Sequence, residues 1–186
     1  MTVSADLDAR FRESAVRAGL LDAVYDVVDT PVGPLLVAAT ERGLLRISFD
    51  AEPAHHLDRL ARLAGRRVLQ APRAVDPVRS ELAEYFEGSR RGFDLGIDLR
   101  GVSDFTARVL AELARVPYGV TTTYAELARR AGRPRAARAV GMVMNRNPIP
   151  IVLPCHRVVG TSGSLVGYGG GLEVKEQLLR LEGALL

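Results

Sequence analysis

The sequence holds one cysteine, Cys155, in the segment Asn147-Pro148-Ile149-Pro150-Ile151-Val152-Leu153-Pro154-Cys155-His156-Arg157-Val158-Val159-Gly160. A thiol attacks as its thiolate, which forms where imidazole, cationic charge or backbone N–H groups favour it. His156 and Arg157 supply two such groups next in sequence. The β-branched run predicts a buried strand that ends at Pro154, whose fixed φ presents the thiol at a rigid strand end. Adjacent side chains on a strand point to opposite faces, so the spacing leaves open whether His156 reaches Cys155 from a bent backbone or through a water.

The other histidines offer less. His55-His56 has only Glu52 and Asp58 nearby and reads as a solvated helix start. One thiol and three histidines exclude an intramolecular disulfide and a Cys/His zinc cluster built from this chain alone, and point to a reducing, intracellular compartment. No apolar run approaches the ~20 residues of a membrane span. Asp6, Asp8 and Glu13 do not fit the basic-then-apolar pattern of a signal peptide, so a soluble, cytoplasmic protein is expected. A chain of 186 residues, 47% of them apolar, excludes disorder and a collagen-like fibre and allows one globular domain or two small ones.

Two halves must position these groups. Residues 1–20 form a leader that is either a short helix or disordered. Residues 21–100 read as a small α+β domain: Val24–Val28, Leu35–Ala39 and Leu44–Phe49 predict three antiparallel strands, the first two joined by the turn Thr30-Pro31-Val32-Gly33-Pro34. Leu57, Leu60, Ala61 and Ala64, and then Val78, Leu82, Tyr85 and Phe86, recur at helical spacing and should cover one face of that sheet. Residues 101–186 read as mostly helical. Phe105, Val109, Leu110 and Leu113 give one helix, ended by Val116-Pro117-Tyr118-Gly119. Thr123-Tyr124-Ala125-Glu126 fits a capping box that opens a second helix, closed at Gly132. Arg133-Pro134 turns the chain into a third, Arg135 to Asn145, giving a helix-turn-helix pattern. In that third helix Ala136, Ala137, Ala139 and Gly141 surround Arg138 with almost no side chain, so it either approaches another surface closely or packs this face against a neighbouring helix. The apolar face of the last helix, Leu172, Leu178, Leu179 and Leu181, reads as plain core.

Charge is divided along the chain. Residues 1–100 carry 14 arginines against 16 acidic residues, whereas residues 101–186 carry 11 basic residues against 6 acidic. No acidic residue lies between Glu126 and Glu173, where seven arginines do. Such a stretch either attracts a polyanion or forms a solvated basic face with no specific partner, and charge alone leaves both open.

Pro154-Cys155-His156-Arg157-Val158-Val159 resembles the active-site motif of the methylated-DNA-[protein]-cysteine methyltransferases, the alkylguanine-DNA alkyltransferases. The resemblance extends in order and spacing to Thr123–Ala128, Ala136–Gly141, Asn147–Pro150, Tyr168–Leu172, Lys175-Glu176 and Leu181-Glu182-Gly183. It is strong over residues 105–183 and looser over the first half. It implies an α+β fold with a ribonuclease H-like N-terminal domain built on a three-stranded sheet, and a C-terminal winged-helix or helix-turn-helix-like domain. It also implies direct damage reversal, in which a cysteine takes the alkyl group from O6 of guanine in double-stranded DNA and acts once.

By this resemblance Cys155 is the nucleophile and His156 deprotonates it through a bridging water, oriented by Glu182. Asn147 holds the backbone, and Tyr124 donates from its hydroxyl to the extruded guanine. Tyr168 walls the base pocket, while Val158 and Gly169 offer backbone groups to the guanine edge; some relatives carry serine at the position of Gly169. Arg138 fills the gap left by the flipped nucleotide from a helix pressed into the minor groove, although helix-turn-helix proteins more often use the major groove. Ala136, Ala137 and Gly141 permit that approach, and Thr106, Ala125, Arg133 and Thr161 match positions on the DNA backbone. The resemblance implies no cofactor, no membrane and no obligatory protein partner for a monomer, and the cysteine ligands of a zinc that some relatives bind are missing. Three rivals remain: a non-catalytic lesion sensor, which Cys155 argues against because sensors replace the cysteine; a winged-helix regulator, which lacks an effector domain here; and a cysteine hydrolase, which has no use for Arg138.

Overall fold

A computed structural model describes residues 5–185. The chain forms two compact units, one running to Glu84 and including Asp94–Arg100, the other made of Tyr85–Phe93 and the chain from Gly101 onward. Tyr85–Phe93 thus counts with the second unit although it falls within residues 21–100.

In the first unit, α1 (Ala5–Arg17) precedes the strands β1 (Ala23–Val28), β2 (Leu35–Thr40) and β3 (Gly43–Ser48). Of the leader, residues 1–4 lie outside the described residues, and the rest is largely helix. It begins with Asp6 and Asp8 and ends with Arg17, the charge order that suits a helix dipole. The three strands pair antiparallel in order, with the first turn closed by Gly33 N–H donating to Thr30 O at 2.9 Å. A fourth strand, β4 (Val68–Gln70), adds parallel to β1 and completes the order β3-β2-β1-β4. Three residues are too few for a period to announce it. The helix α2 (Ala54–Ala64) enters the connection between β3 and β4, and its Leu60 joins Leu36, Ala38 and Leu45 in one buried cluster. Gly43, at φ +126°, lies so close to the backbone of Gly96 that a Cβ would collide with it. There Leu44 N–H donates to Gly96 O, and Asp98 N–H to Leu44 O, both at 2.8 Å. The helix α3 (Asp76–Phe86) follows.

The histidine pair splits in two. His55 is exposed beside Asp50, but His56 is buried and its Nε2 lies 2.8 Å from Asp50 O, so the reading of both as solvated is corrected for His56. Helix geometry turns neighbouring residues about 100° apart, which takes one ring outward and the other in.

In the second unit, α4 (Asp104–Ala114) starts at Ser103, whose hydroxyl accepts from Thr106 N–H. Next come β5 (Thr122–Thr123), α5 (Tyr124–Arg130), α6 (Ala137–Asn145), a 3-10 turn at Cys155–Arg157, β6 (Val158–Val159) and α7 (Leu172–Leu181). Half of the capping box forms, Thr123 Oγ1 accepting from Glu126 N–H at 3.2 Å. Glu126 itself turns to Arg129 and Arg130. Gly132, at φ +76°, closes α5 in a Schellman motif: its N–H donates to Arg129 O, and Arg133 N–H to Ala128 O. α6 starts two residues after Arg135, since Pro134 biases Arg133 away from helical φ/ψ and Ala136 has no capping oxygen. The helix-turn-helix pattern holds.

The strand expected before Cys155 does not form. Pro148, Pro150 and Pro154 remove ladder donors, and Ile151 sits at φ +74°, so the buried run folds into a tight turn with Leu153 N–H donating to Ile149 O at 2.9 Å. β5 and β6 pair in parallel, Thr122 beside Val158 and Thr123 beside Val159. β5 runs into Tyr124 and β6 runs out of the Cys155 turn, so this short pairing draws the two together. On α7, Leu178 and Leu179 are core, but Leu172 is exposed and Lys175 takes a buried position, which corrects the reading of that face as plain apolar core.

Candidate active site

The thiol lies on a braced turn. Asn147 Nδ2 donates to Leu153 O at 2.8 Å and Asn147 Oδ1 accepts from Ile149 N–H at 3.1 Å, which ties the two ends of the proline-rich run together. Cys155 N–H donates to Leu153 O, Arg157 N–H to Pro154 O, and Val158 N–H to Cys155 O. Cys155 is 5% exposed. Burial pushes its thiol up to about 11, against the pull of the Asn147 amide, the Lys175 ammonium and the N–H groups of Cys155 and His156. At neutral pH the resting group is therefore a thiol, and it needs a base.

His156, the next residue, offers a neutral imidazole. It is fully buried, and burial lowers its pKa, keeping the ring neutral against the pull of Glu182. Its Nε2 lies 2.9 Å from Glu182 Oε1. A carboxylate only accepts, so Nε2 carries the proton and Nδ1 holds the free lone pair. Nδ1 is buried without a hydrogen-bond partner among the described residues. An imidazole so anchored can take a proton on Nδ1 and stabilise it through Glu182.

Glu182 caps the end of α7 and gathers donors from three other segments. Tyr85 Oη donates to Oε1 at 2.7 Å, Arg157 Nη2 to Oε1 and Nε to Oε2 at 2.8 Å each, and Gly119 N–H to Oε2 at 3.2 Å. Burial raises its pKa, but hydrogen bonds from His156 and Arg157 outweigh this and hold the carboxyl at about 2. Arg157 Nη1 also donates to Val116 O at 2.6 Å. Gly119, at φ +74°, sits where a Cβ would stand 2.8 Å from Glu182 O, so only glycine admits the end of α7. Tyr118 Oη donates to Leu181 O at 3.0 Å from the same turn.

Lys175 is 0% exposed, yet its Nζ donates to Val158 O at 2.6 Å and to Val166 O at 2.8 Å. It fixes the strand after the Cys155 turn to the 160–171 loop. Burial lowers its pKa while Cys155 raises it. Tyr124 Oη donates to the same Val166 O at 3.4 Å. Its hydroxyl pKa is raised by burial and by Cys155. The Tyr168 ring stands edge-on to His156 with centroids 6.4 Å apart. Gly169 is exposed with open space where a side chain would go.

The remaining sequence candidates are spread over the unit's surface. Ala125, Arg133, Arg138 and Thr161 are exposed, and Thr106, Ala136, Ala137 and Gly141 half-buried. Arg133 stacks over Phe105 at 5.1 Å. Arg135, Arg138 and Arg146 are exposed and have no acidic partner among the described residues, whereas Arg129 and Arg130 share the Glu126 carboxylate. A Cβ on Gly141 would meet Tyr124 Cδ1 at 3.9 Å, which puts α6 directly beside that tyrosine. Among the described residues no group of three or more His, Cys, Asp or Glu could hold a metal ion, and no helix is long and apolar enough to cross a membrane.

Reasoning from residue types missed Tyr85, Gly119 and Lys175 as parts of this site, and it set Arg157 beside the thiol, whereas the guanidinium binds Glu182. Lys175 had a signal, since it interrupts an apolar helix face.

Residues 104–184 match the family described as 6-O-methylguanine DNA methyltransferase, DNA binding domain, and residues 23–99 match its ribonuclease-like domain. The helix α1 precedes both matches. A methylated-DNA–protein-cysteine methyltransferase of Methanosarcina barkeri is 40% identical over 165 residues, covering 85% of this chain and 96% of its own. One from Mycolicibacterium paratuberculosis is 42% identical, covering 85% and 91%. The crystal structure of Mycobacterium tuberculosis OGT in complex with DNA superposes with a TM-score of 0.73 at 40% identity, covering 87% of this chain and 93% of that one. Two matched domains in register, and relatives alike over nearly their whole length, place this chain in the 6-O-methylguanine DNA methyltransferase family.

Proposed function

We propose that this protein repairs alkylated DNA by moving a methyl or alkyl group from O6 of guanine to Cys155, once per molecule. The observation that carries this reading is the chain's one thiol, held on the Asn147-braced turn next to a neutral His156 whose outer nitrogen is anchored to Glu182. His156 accepts the thiol proton at Nδ1 through a bridging water. The Cys155 sulfur then attacks the alkyl carbon in line, the carbon–O6 bond breaks and its electron pair stays with the guanine. The Tyr124 hydroxyl leaves Val166 O and donates to the departing base. The product is a thioether, which thiol exchange does not reopen.

The base reaches the thiol by rotating out of double-stranded DNA. Arg138 fills the gap from the minor-groove side, with Ala136, Ala137 and Gly141 allowing the helix to approach. Thr106, Ala125, Arg133 and Thr161 hold the DNA backbone, each with a small share because phosphate contacts are many. Tyr168 walls the base pocket, and Val158 and Gly169 face the guanine edge. Residues 101–186, joined by Tyr85–Phe93, form the DNA-binding and alkyl-transfer domain, the rest of residues 21–100 the N-terminal domain, and the protein works as a cytoplasmic monomer without a cofactor.

The test is the intact mass of the protein after incubation with excess duplex carrying one O6-methylguanine, followed by peptide mapping. One methyl group per protein, on Cys155, with guanine restored, is the expected result, and Cys155→Ala keeps DNA binding while abolishing transfer. An unchanged mass with tight lesion binding would replace this reading with that of a lesion sensor.

A further inference from the structure

Two methionines on α6 have opposite fates. Met144 is 7% exposed and packs inward with Val140 and Val143, whereas Met142 is 59% exposed. The outward residues of this helix are Arg138, Met142 and Asn145, spaced four and three apart, with Arg135 just before its first turn. That spacing is one helix face. Between the inner and outer stripes lie Ala137, Ala139 and Gly141, all half-buried and nearly without side chain. Two long side chains, Arg138 and Met142, therefore rise side by side from an otherwise bare surface.

The charge around them selects the partner. Arg135, Arg138 and Arg146 are exposed without acidic neighbours among the described residues, so a polyanion approaches this face first. A helix about 10 Å across seats in a minor groove about 6 Å wide only where the groove opens, and a bare surface lets its long side chains reach the groove floor. Methionine is among the apolar side chains that wedge into the minor groove beside unstacked steps. Met142 stands one turn from Arg138, about 6 Å along the axis, which is within two base steps of about 3.4 Å.

We propose that Met142 is a second minor-groove contact, packing its flexible thioether chain against the deoxyribose rings and base edges next to the gap that Arg138 fills. The proposal rests on the repair reading for where the helix docks. Met142 then favours opened duplex over single strand, adding apolar contact where Arg138 adds charge. The side chain is unbranched and polarizable, so it follows the groove wall as the duplex kinks.

The test is duplex affinity in a Cys155→Ala background, where no transfer intervenes, measured by fluorescence anisotropy with alkylated duplex, unmodified duplex and single strand. Met142→Ala, which keeps helix propensity, is expected to weaken duplex binding about fivefold and single-strand binding less than about twofold. The slope of log affinity against log salt stays unchanged, because no phosphate contact is lost, whereas Arg135→Ala lowers it by about one. Met142→Leu should restore most of the affinity. Duplex binding within about twofold of the parent, or an equal loss on single strand, would overturn the proposal. If the protein with Cys155 intact transfers no alkyl group, the repair reading fails, while the Met142→Ala loss on unmodified duplex still decides the groove contact.

Discussion

Glu182 and Glu126 are both held at about 2 by hydrogen bonds from basic residues, yet they do different things. Glu182 is buried and takes four partners from distant parts of its unit: Tyr85, Gly119, His156 and Arg157. Glu126 sits on the surface of α5 and is held by Arg129 and Arg130, three and four residues on. A low carboxylate pKa thus says only that cations are close. In the buried case each donor is fixed by the fold and the charge orients the His156 ring. In the exposed case the side chains are solvated, salt screens them, and the pairs support one short helix.

The largest effect that would sharpen this contrast comes from Glu182→Gln. It leaves Arg157 without its counter-charge and His156 with a neutral acceptor in place of a carboxylate, and should cost about 3–5 kcal/mol in denaturant unfolding and about 100-fold in the rate of methyl transfer. Wild-type transfer rates in that variant would break the comparison. The pH dependence has a definite sign. The folded pKa of Glu182 is depressed to about 2 from an ordinary 4.5, so its stabilisation is complete above about 4.5 and is lost as pH falls toward 2. Thermal melts across that window should fall less steeply for Glu182→Gln than for the wild type.

A middle-sized effect is expected at Lys175. Lys175→Met removes a charge that favours the Cys155 thiolate and releases Val158 and Val166, so the rate of Cys155 alkylation at neutral pH should fall about tenfold and recover partly as pH rises toward 11. A loss that stays flat with pH would assign Lys175 to packing alone. Arg138→Ala should lower transfer from duplex about tenfold but leave reaction with the free alkylated base within about twofold, and equal losses on both would contradict a role in flipping. The smallest change is expected from Glu126→Gln: a slight fall in melting temperature that disappears in high salt, where the effect of Glu182→Gln persists.

These contrasts also explain what could be read from the chain. The three antiparallel strands and the helix-turn-helix are carried by short-range patterns of turns, caps and neighbours. The partners of Glu182 are not. Tyr85 lies 97 residues away and shows in sequence only as one apolar step of α3, and Gly119 shows only as a helix terminator. The strand expected before Cys155 does not form because three prolines forbid a ladder there, whatever the apolar content of the run. His56 and Lys175 are buried polar groups satisfied by backbone carbonyls, partners that no side-chain pattern reveals.

The reach of the Glu182 bonds has a consequence in time. They span 25, 26, 63 and 97 residues, whereas the closure of α5 and its capping bond span five residues or fewer. Local contacts form first because closing a short loop costs less entropy. On contact order, the α5–α6 hairpin that bears Arg138 is expected to form ahead of the long-range donor set of Glu182, an order that pulsed hydrogen exchange during refolding would read.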